Sequence, residues 1–108
     1  MILTLQEDGG VYVYDSIAAA VRGVEPLDAE VTFRAIFDET GEVYAIRWIR
    51  PNKRGRFLFD WVENGEYTLA PENRKDVPGL LKVLHDARHV DPPSAEPVVR
   101  DLQRRLES

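Results

Sequence analysis

Residues 31–70 read VTFRAIFDETGEVYAIRWIRPNKRGRFLFDWVENGEYTLA, and four runs of alternating apolar and polar residues stand out in them. The runs are Val31–Asp38, Val43–Arg50, Arg56–Val62 and Glu66–Ala70. Alternation with period two is the mark of a strand with one covered face. Between the runs lie Glu39-Thr40-Gly41, Pro51-Asn52-Lys53-Arg54-Gly55 and Glu63-Asn64-Gly65, all turn-forming sequences. Four consecutive strands joined by short turns predict an antiparallel meander.

Register follows from matching faces, because a one-residue slip turns every side chain over. A three-residue loop at 63–65 with Gly65 left-handed pairs Trp61 with Tyr67. Pairing Phe33 with Trp48, and Trp48 with Phe59, then gathers the aromatics on one side. The rows become Ala35/Ile46/Trp61/Tyr67 and Phe33/Trp48/Phe59/Leu69, with Phe37 beside Tyr44. That side is the predicted core face. The same registers put Arg34, Arg47, Asp60 and Thr68 in one row across the other face. Ile36, Ala45 and Val62 flank it on one side, Ile49 and Leu58 on the other.

Outward from the meander, Met1–Leu5 and Val11–Tyr14 are β-prone around the turn Glu7-Asp8-Gly9-Gly10. A short helix follows, capped by Asp15 or Ser16, with Ile17, Ala20, Val21 and Val24 as its apolar stripe. On the C-terminal side, Asp76 caps a helix whose stripe is Leu80, Leu81, Leu84 and Ala87. Pro92-Pro93 interrupts the chain. Ser94 caps a last helix that turns Val98 or Val99, Leu102 and Leu106 inward. The prediction is a single α+β domain over residues 1–108. An antiparallel meander carries an N-terminal hairpin or strand, one short helix before it, and two C-terminal helices covering one face.

With 44% hydrophobic and 31% charged residues, the 108-residue chain belongs to the globular class and is long enough for one core. The absence of cysteine excludes disulfides and thiolate metal sites. The start, MILTLQEDGG, lacks the basic and apolar regions of a signal peptide, and no apolar run reaches membrane-spanning length. A cytoplasmic location is the expectation. Residues 1–42 hold nine acids against two bases, while the remainder is slightly basic. An acidic half repels nucleic acid and attracts basic proteins.

Chemistry-bearing patterns are few. His85-Asp86-Ala87-Arg88-His89 has the spacing of a helical zinc pair. It carries aspartate where a glutamate is usual and has no third ligand downstream, so the expectation is no metal and no other cofactor. Both histidines then serve as polar positions complementing a helix end. Arg50–Arg56 is the basic cluster, read as a solvated hairpin loop, or else as the contact of a small accessory module with nucleic acid. The serines are Ser16, Ser94 and Ser108, two helix caps and the last residue. No nucleophile–base set emerges, so the chain is expected not to be an enzyme.

Val11-Tyr12-Val13-Tyr14-Asp15-Ser16, Val24-Glu25-Pro26-Leu27-Asp28 and Phe37-Asp38-Glu39-Thr40-Gly41-Glu42 resemble the immunity proteins encoded beside bacterial polymorphic toxins. The likeness implies a stoichiometric inhibitor that binds a cognate toxin. Such families keep no fixed binding residues, so none is carried over. The residues alone nominate Arg34, Arg47 and Asp60 as a partner-binding row, rimmed by the acids Asp38 and Glu42. Opposed arginines would take a partner's carboxylate.

Overall fold

The computed structural model describes the backbone of every residue except Leu58, and the side chains outside residues 56–60. In chain order the elements are β1 (Ile2–Gln6), β2 (Val11–Tyr14), α1 (Ile17–Gly23), α2 (Pro26–Thr32), β3 (Phe33–Asp38) and β4 (Glu42–Arg50). They continue as β5 (Lys53–Phe57), β6 (Phe59–Glu63), β7 (Glu66–Lys75), α3 (Val77–Asp86), β8 (Val90–Asp91) and α4 (Glu96–Glu107). A 3-10 turn at Pro93–Ala95 leads into α4. The fold is α+β, with a mostly antiparallel sheet ordered β7-β4-β3-β1-β2-β8 and a separate β5–β6 pair. No helix among the described residues is long and apolar enough to cross a membrane.

Local chemistry sets the helix starts. Ser16 accepts a hydrogen bond from the Ala19 N–H, and Asp76 one from the Gly79 N–H, each satisfying an orphan donor of the first turn. Pro26 opens α2, a second short helix that alternation alone does not reveal. Val31 and Thr32 therefore end a helix instead of starting a strand. Ser94 falls in the 3-10 turn and caps nothing.

Helices cover both faces of the sheet's centre. On one face α3 and α4 bury Leu80, Leu84, Val99 and Leu102 against Leu3, Val11, Phe37 and Val43. On the other, α1 and α2 bring Ala20, Val24 and Ala29 onto Ile2, Ile36, Tyr67 and Leu69. The residues expected beneath the C-terminal helices, Phe33, Ile46, Tyr67 and Leu69, thus lie beneath α1 and α2. Ala35 and Phe37 stay on the side of α3 and α4.

Two register features explain that partition. Phe37 faces Val43, not Tyr44. Leu5 faces Ala35 while Gln6 faces Phe33, so Arg34 is the extra residue of a β-bulge. The bulge breaks the alternation and turns Phe33 to the same side as Ile36.

The expected pairs of Trp48 with Phe59 and Trp61 with Tyr67 do not form. Trp48 faces Tyr67 and Ile46 faces Leu69, so β7 lies directly beside β4. Residues 53–63 pair among themselves, Trp61 opposite Gly55, and stand out of the meander as an inserted hairpin. Asn52 makes that insertion. Its Oδ1 accepts from the Gly65 N–H at 2.7 Å and closes the hairpin base. Its Nδ2 donates to the Pro26 carbonyl and the Glu30 carboxylate, fixing the base to α2. Gly65 is not left-handed. It is required because a Cβ there would sit 2.1 Å from the Arg50 carbonyl oxygen. The left-handed glycine of the meander is Gly41, at φ 88° in the β3–β4 turn. The side chains of Phe57, Leu58 and Phe59 lie outside the described residues.

Candidate functional site

The nominated row is only partly assembled. Alternation along β4 from buried Val43 puts Ala45 and Arg47 on the α3 side, up to the register shift at Ile49. Ala45 is half-buried, whereas Arg47 and Ile49 are exposed, so cover ends as β4 runs outward. Arg47 pairs directly with Thr68, where the expected row set the Asp60 strand between them, and Ala45 pairs with Ala70. The Asp60 side chain lies outside the described residues. Arg34 does not confront Arg47 across a ladder, because β3 and β4 part after the single bridge Phe37–Val43. It stands instead at the bulge, between two hollows. One, of about 220 Å³, separates β3 from β4 and is lined by Phe33, Ala35, Tyr44 and Ala45 among others. The other, of about 350 Å³, is shared with Glu7, Gly9, Asp86 and Arg88. Among the described residues neither Arg34 nor Arg47 makes an ion pair.

Asp38 and Glu42 are not a rim to these arginines. Arg47 lies five steps along the strand from Glu42, roughly 17 Å at about 3.4 Å per step. Asp38 is occupied in the β3–β4 turn, accepting from the Thr40 N–H at 2.8 Å, the Thr40 hydroxyl at 2.6 Å and the Tyr44 hydroxyl at 3.2 Å. Partial burial pushes its carboxyl up, but these hydrogen bonds prevail and hold it below the usual value. Glu42 faces Lys75 across the β4–β7 ladder.

The histidines separate. His85 lies in the last turn of α3 with Nδ1 2.9 Å from Asp86. His89 lies beyond the helix, with Nε2 3.2 Å from the Asp8 carboxylate. They share no helix face, so the zinc-pair spacing has no structural counterpart.

His89 belongs to a cluster that sequence reasoning missed. The Asp8 carboxylate takes the Tyr12 hydroxyl at 2.5 Å and the Gly10 N–H at 2.8 Å. The Tyr12 and His89 rings meet edge to face, 5.6 Å apart. The Tyr12 hydrogen bond is the largest influence holding Asp8 below the usual carboxylate value. Reciprocally, the Asp8 bond pushes the Tyr12 phenol up to about 12. The one legible signal was Tyr12 four residues after Asp8 in a tight turn. The approach of His89 depends on β8 pairing parallel to β2, which no local pattern announces.

A titration checks this cluster. The raised phenol favours the neutral form in the folded state, so its stabilisation is present below about pH 10 and is lost as pH rises toward 12. The lowered Asp8 acts at the other end, its contribution present above about pH 4 and lost on acidification. Asp8→Asn should return Tyr12 toward about 10 in an alkaline absorbance titration. An unmoved curve would show that the Asp8 contact does not exist in solution.

The basic loop is partly neutralised. Arg54 clamps Glu30 with contacts of 2.7 and 3.3 Å. The Arg56 side chain lies outside the described residues. Large apolar side chains are exposed beside this loop: Trp48 at 37%, Ile49 at 58%, Trp61 at 40% and Val62 at 61%. No family model, curated protein or solved structure matches the chain.

Proposed function

We propose that this chain works by binding another protein stoichiometrically and blocking it, as an inhibitor of the toxin-immunity type does. The exposure of Trp48, Ile49, Trp61 and Val62 on the outer part of β4 and on β6 carries the reading. Single exposed apolar residues are ordinary, but four large ones flanking one basic segment of the chain are contact area without cover. Tryptophan and arginine are the residues that dominate binding energy at protein interfaces, and Arg47 adjoins this set. The excess of acids over residues 1–42 favours encounter with a basic partner, and the resemblance of residues 11–42 makes that partner a toxin domain. Contact with nucleic acid through Arg50–Arg56 is less supported, because Glu30 already occupies Arg54.

The experiment is a pull-down of the adjacent gene's product, followed by affinity measurement. Substituting both Arg34 and Arg47 by alanine should leave the melt intact and weaken binding by about tenfold or more, the loss of a contact worth over 1 kcal/mol. Unchanged affinity would remove these arginines from the interface. If the adjacent product does not bind, the inhibitor reading fails.

A further inference from the structure

We infer that the parting of β3 and β4 is a strand-addition site, where an extended segment of the partner with acidic residues at alternate positions pairs with the free edge of β4. This rests on the protein-binding reading and specifies how the partner is held. After Phe37–Val43 the facing edges of the two strands make no further bridge, so β4 is laddered only to β7 over residues 44–48. Backbone N–H and C=O groups on such an edge need partners, and an extended peptide supplies them.

The contrast with the outer edges is informative. β7 carries Pro71, a left-handed Asn73 at φ 58°, and the charges Glu72, Arg74 and Lys75, all features that discourage strand addition. β8, at the other edge, has two residues. The inner edge reads Tyr44-Ala45-Ile46-Arg47-Trp48, without proline, glycine or bulge. The guarded edges face outward, and the receptive one lines a hollow.

That hollow has a floor and a charged mouth. On the α1–α2 side Phe33 reaches across the gap and meets the Tyr67 ring edge-on at 6.4 Å, with Tyr44 and Ile46 in the same cluster. On the α3 side stand Arg34 and Arg47, without acidic partners among the described residues. Successive residues of an added strand point to opposite faces. Apolar residues would rest on the Phe33–Tyr44 floor while the alternate carboxylates meet the two guanidinium groups. An added strand needs one spacing, about 4.8 Å, on each side, so the peptide enters by widening the cleft beyond the Phe37–Val43 bridge.

The test is an amide-resolved NMR titration of the full chain with three capped heptapeptides. One alternates valine and glutamate, the second alternates valine and lysine, and the third is the glutamate peptide N-methylated at alternate residues. The first should shift amides of residues 34–36 and 44–48 and slow exchange of the β4 amides facing β3. The other two should bind at least about tenfold more weakly, since one has the wrong charge and the other cannot complete a ladder. The Arg34→Glu/Arg47→Glu variant should reverse the preference between glutamate and lysine peptides. No binding by the first peptide, shifts confined to other residues, or equal binding of the N-methylated peptide would overturn the inference. Failure of the peptides with partner capture intact sinks the cleft alone. Peptide binding without capture sinks the inhibitor reading alone.

Discussion

Tyr67→Ala is expected to lower the free energy of unfolding by about 3–5 kcal/mol, the range for removing a buried aromatic ring. Tyr67 is 2% exposed and joins four elements. It sits on β7 opposite Trp48 of β4, meets Phe33 of β3, and donates its hydroxyl to the Val24 carbonyl beyond α1 at 2.6 Å. Burial pushes that phenol up to about 12, so the buried group is held neutral as a donor. Tyr67→Phe should cost only about 1 kcal/mol, the value of one hydrogen bond. Trp48→Ala should cost clearly less than Tyr67→Ala, because the indole is already partly in water. Urea melts of the three variants decide the matter. Equal losses for Trp48→Ala and Tyr67→Ala would reinstate Trp48 as a core residue.

Leu84→Ala should cost about 2–5 kcal/mol, since its side chain is fully buried and the surrounding helices cannot collapse without moving. It packs in the cluster that joins α3 and α4 to the sheet, and its carbonyl accepts from the Arg100 guanidinium at 3.2 Å. The hydrogen bond uses the backbone and survives the substitution, so the loss reports packing. Val98→Ala, one position from buried Val99 but 47% exposed, should change stability by less than about 1 kcal/mol. A Leu84→Ala melt indistinguishable from that of Val98→Ala would mean that α3 is not docked as described.

What could be read from the chain was what depends on neighbours a few residues apart. The caps at Ser16 and Asp76 and the stripe Leu80–Leu84 need only local alternation or one turn of helix. The facing of Arg34 and Arg47 failed because one extra residue in β3 and a one-residue difference at Phe37–Val43 undo any long register argument. The exclusion of β5 and β6 from the sheet was hidden for another reason. Their alternation suits a meander equally well, and the choice is made by Asn52 and Arg54 reaching Pro26 and Glu30, far back in the chain. Asp8, Tyr12 and His89 were invisible as a group because two residues of parallel strand bring them together.

The strand order has a consequence for how the chain assembles. β1 sits inside the sheet, and its Leu3 is buried by residues as distant as Leu102 of α4. Contacts spanning nearly the whole chain form late and slowly, because a long loop must close before they contribute. During synthesis, Leu3, Val11, Phe37 and Val43 therefore wait, uncovered on that face, until α3 and α4 have emerged. The Ala20–Tyr67 cluster on the opposite face draws no residue beyond Leu69 and can condense first. A ribosome that stalled between residues 75 and 99 would hold a half-built sheet with one greasy side, the kind of intermediate that chaperones exist to shield.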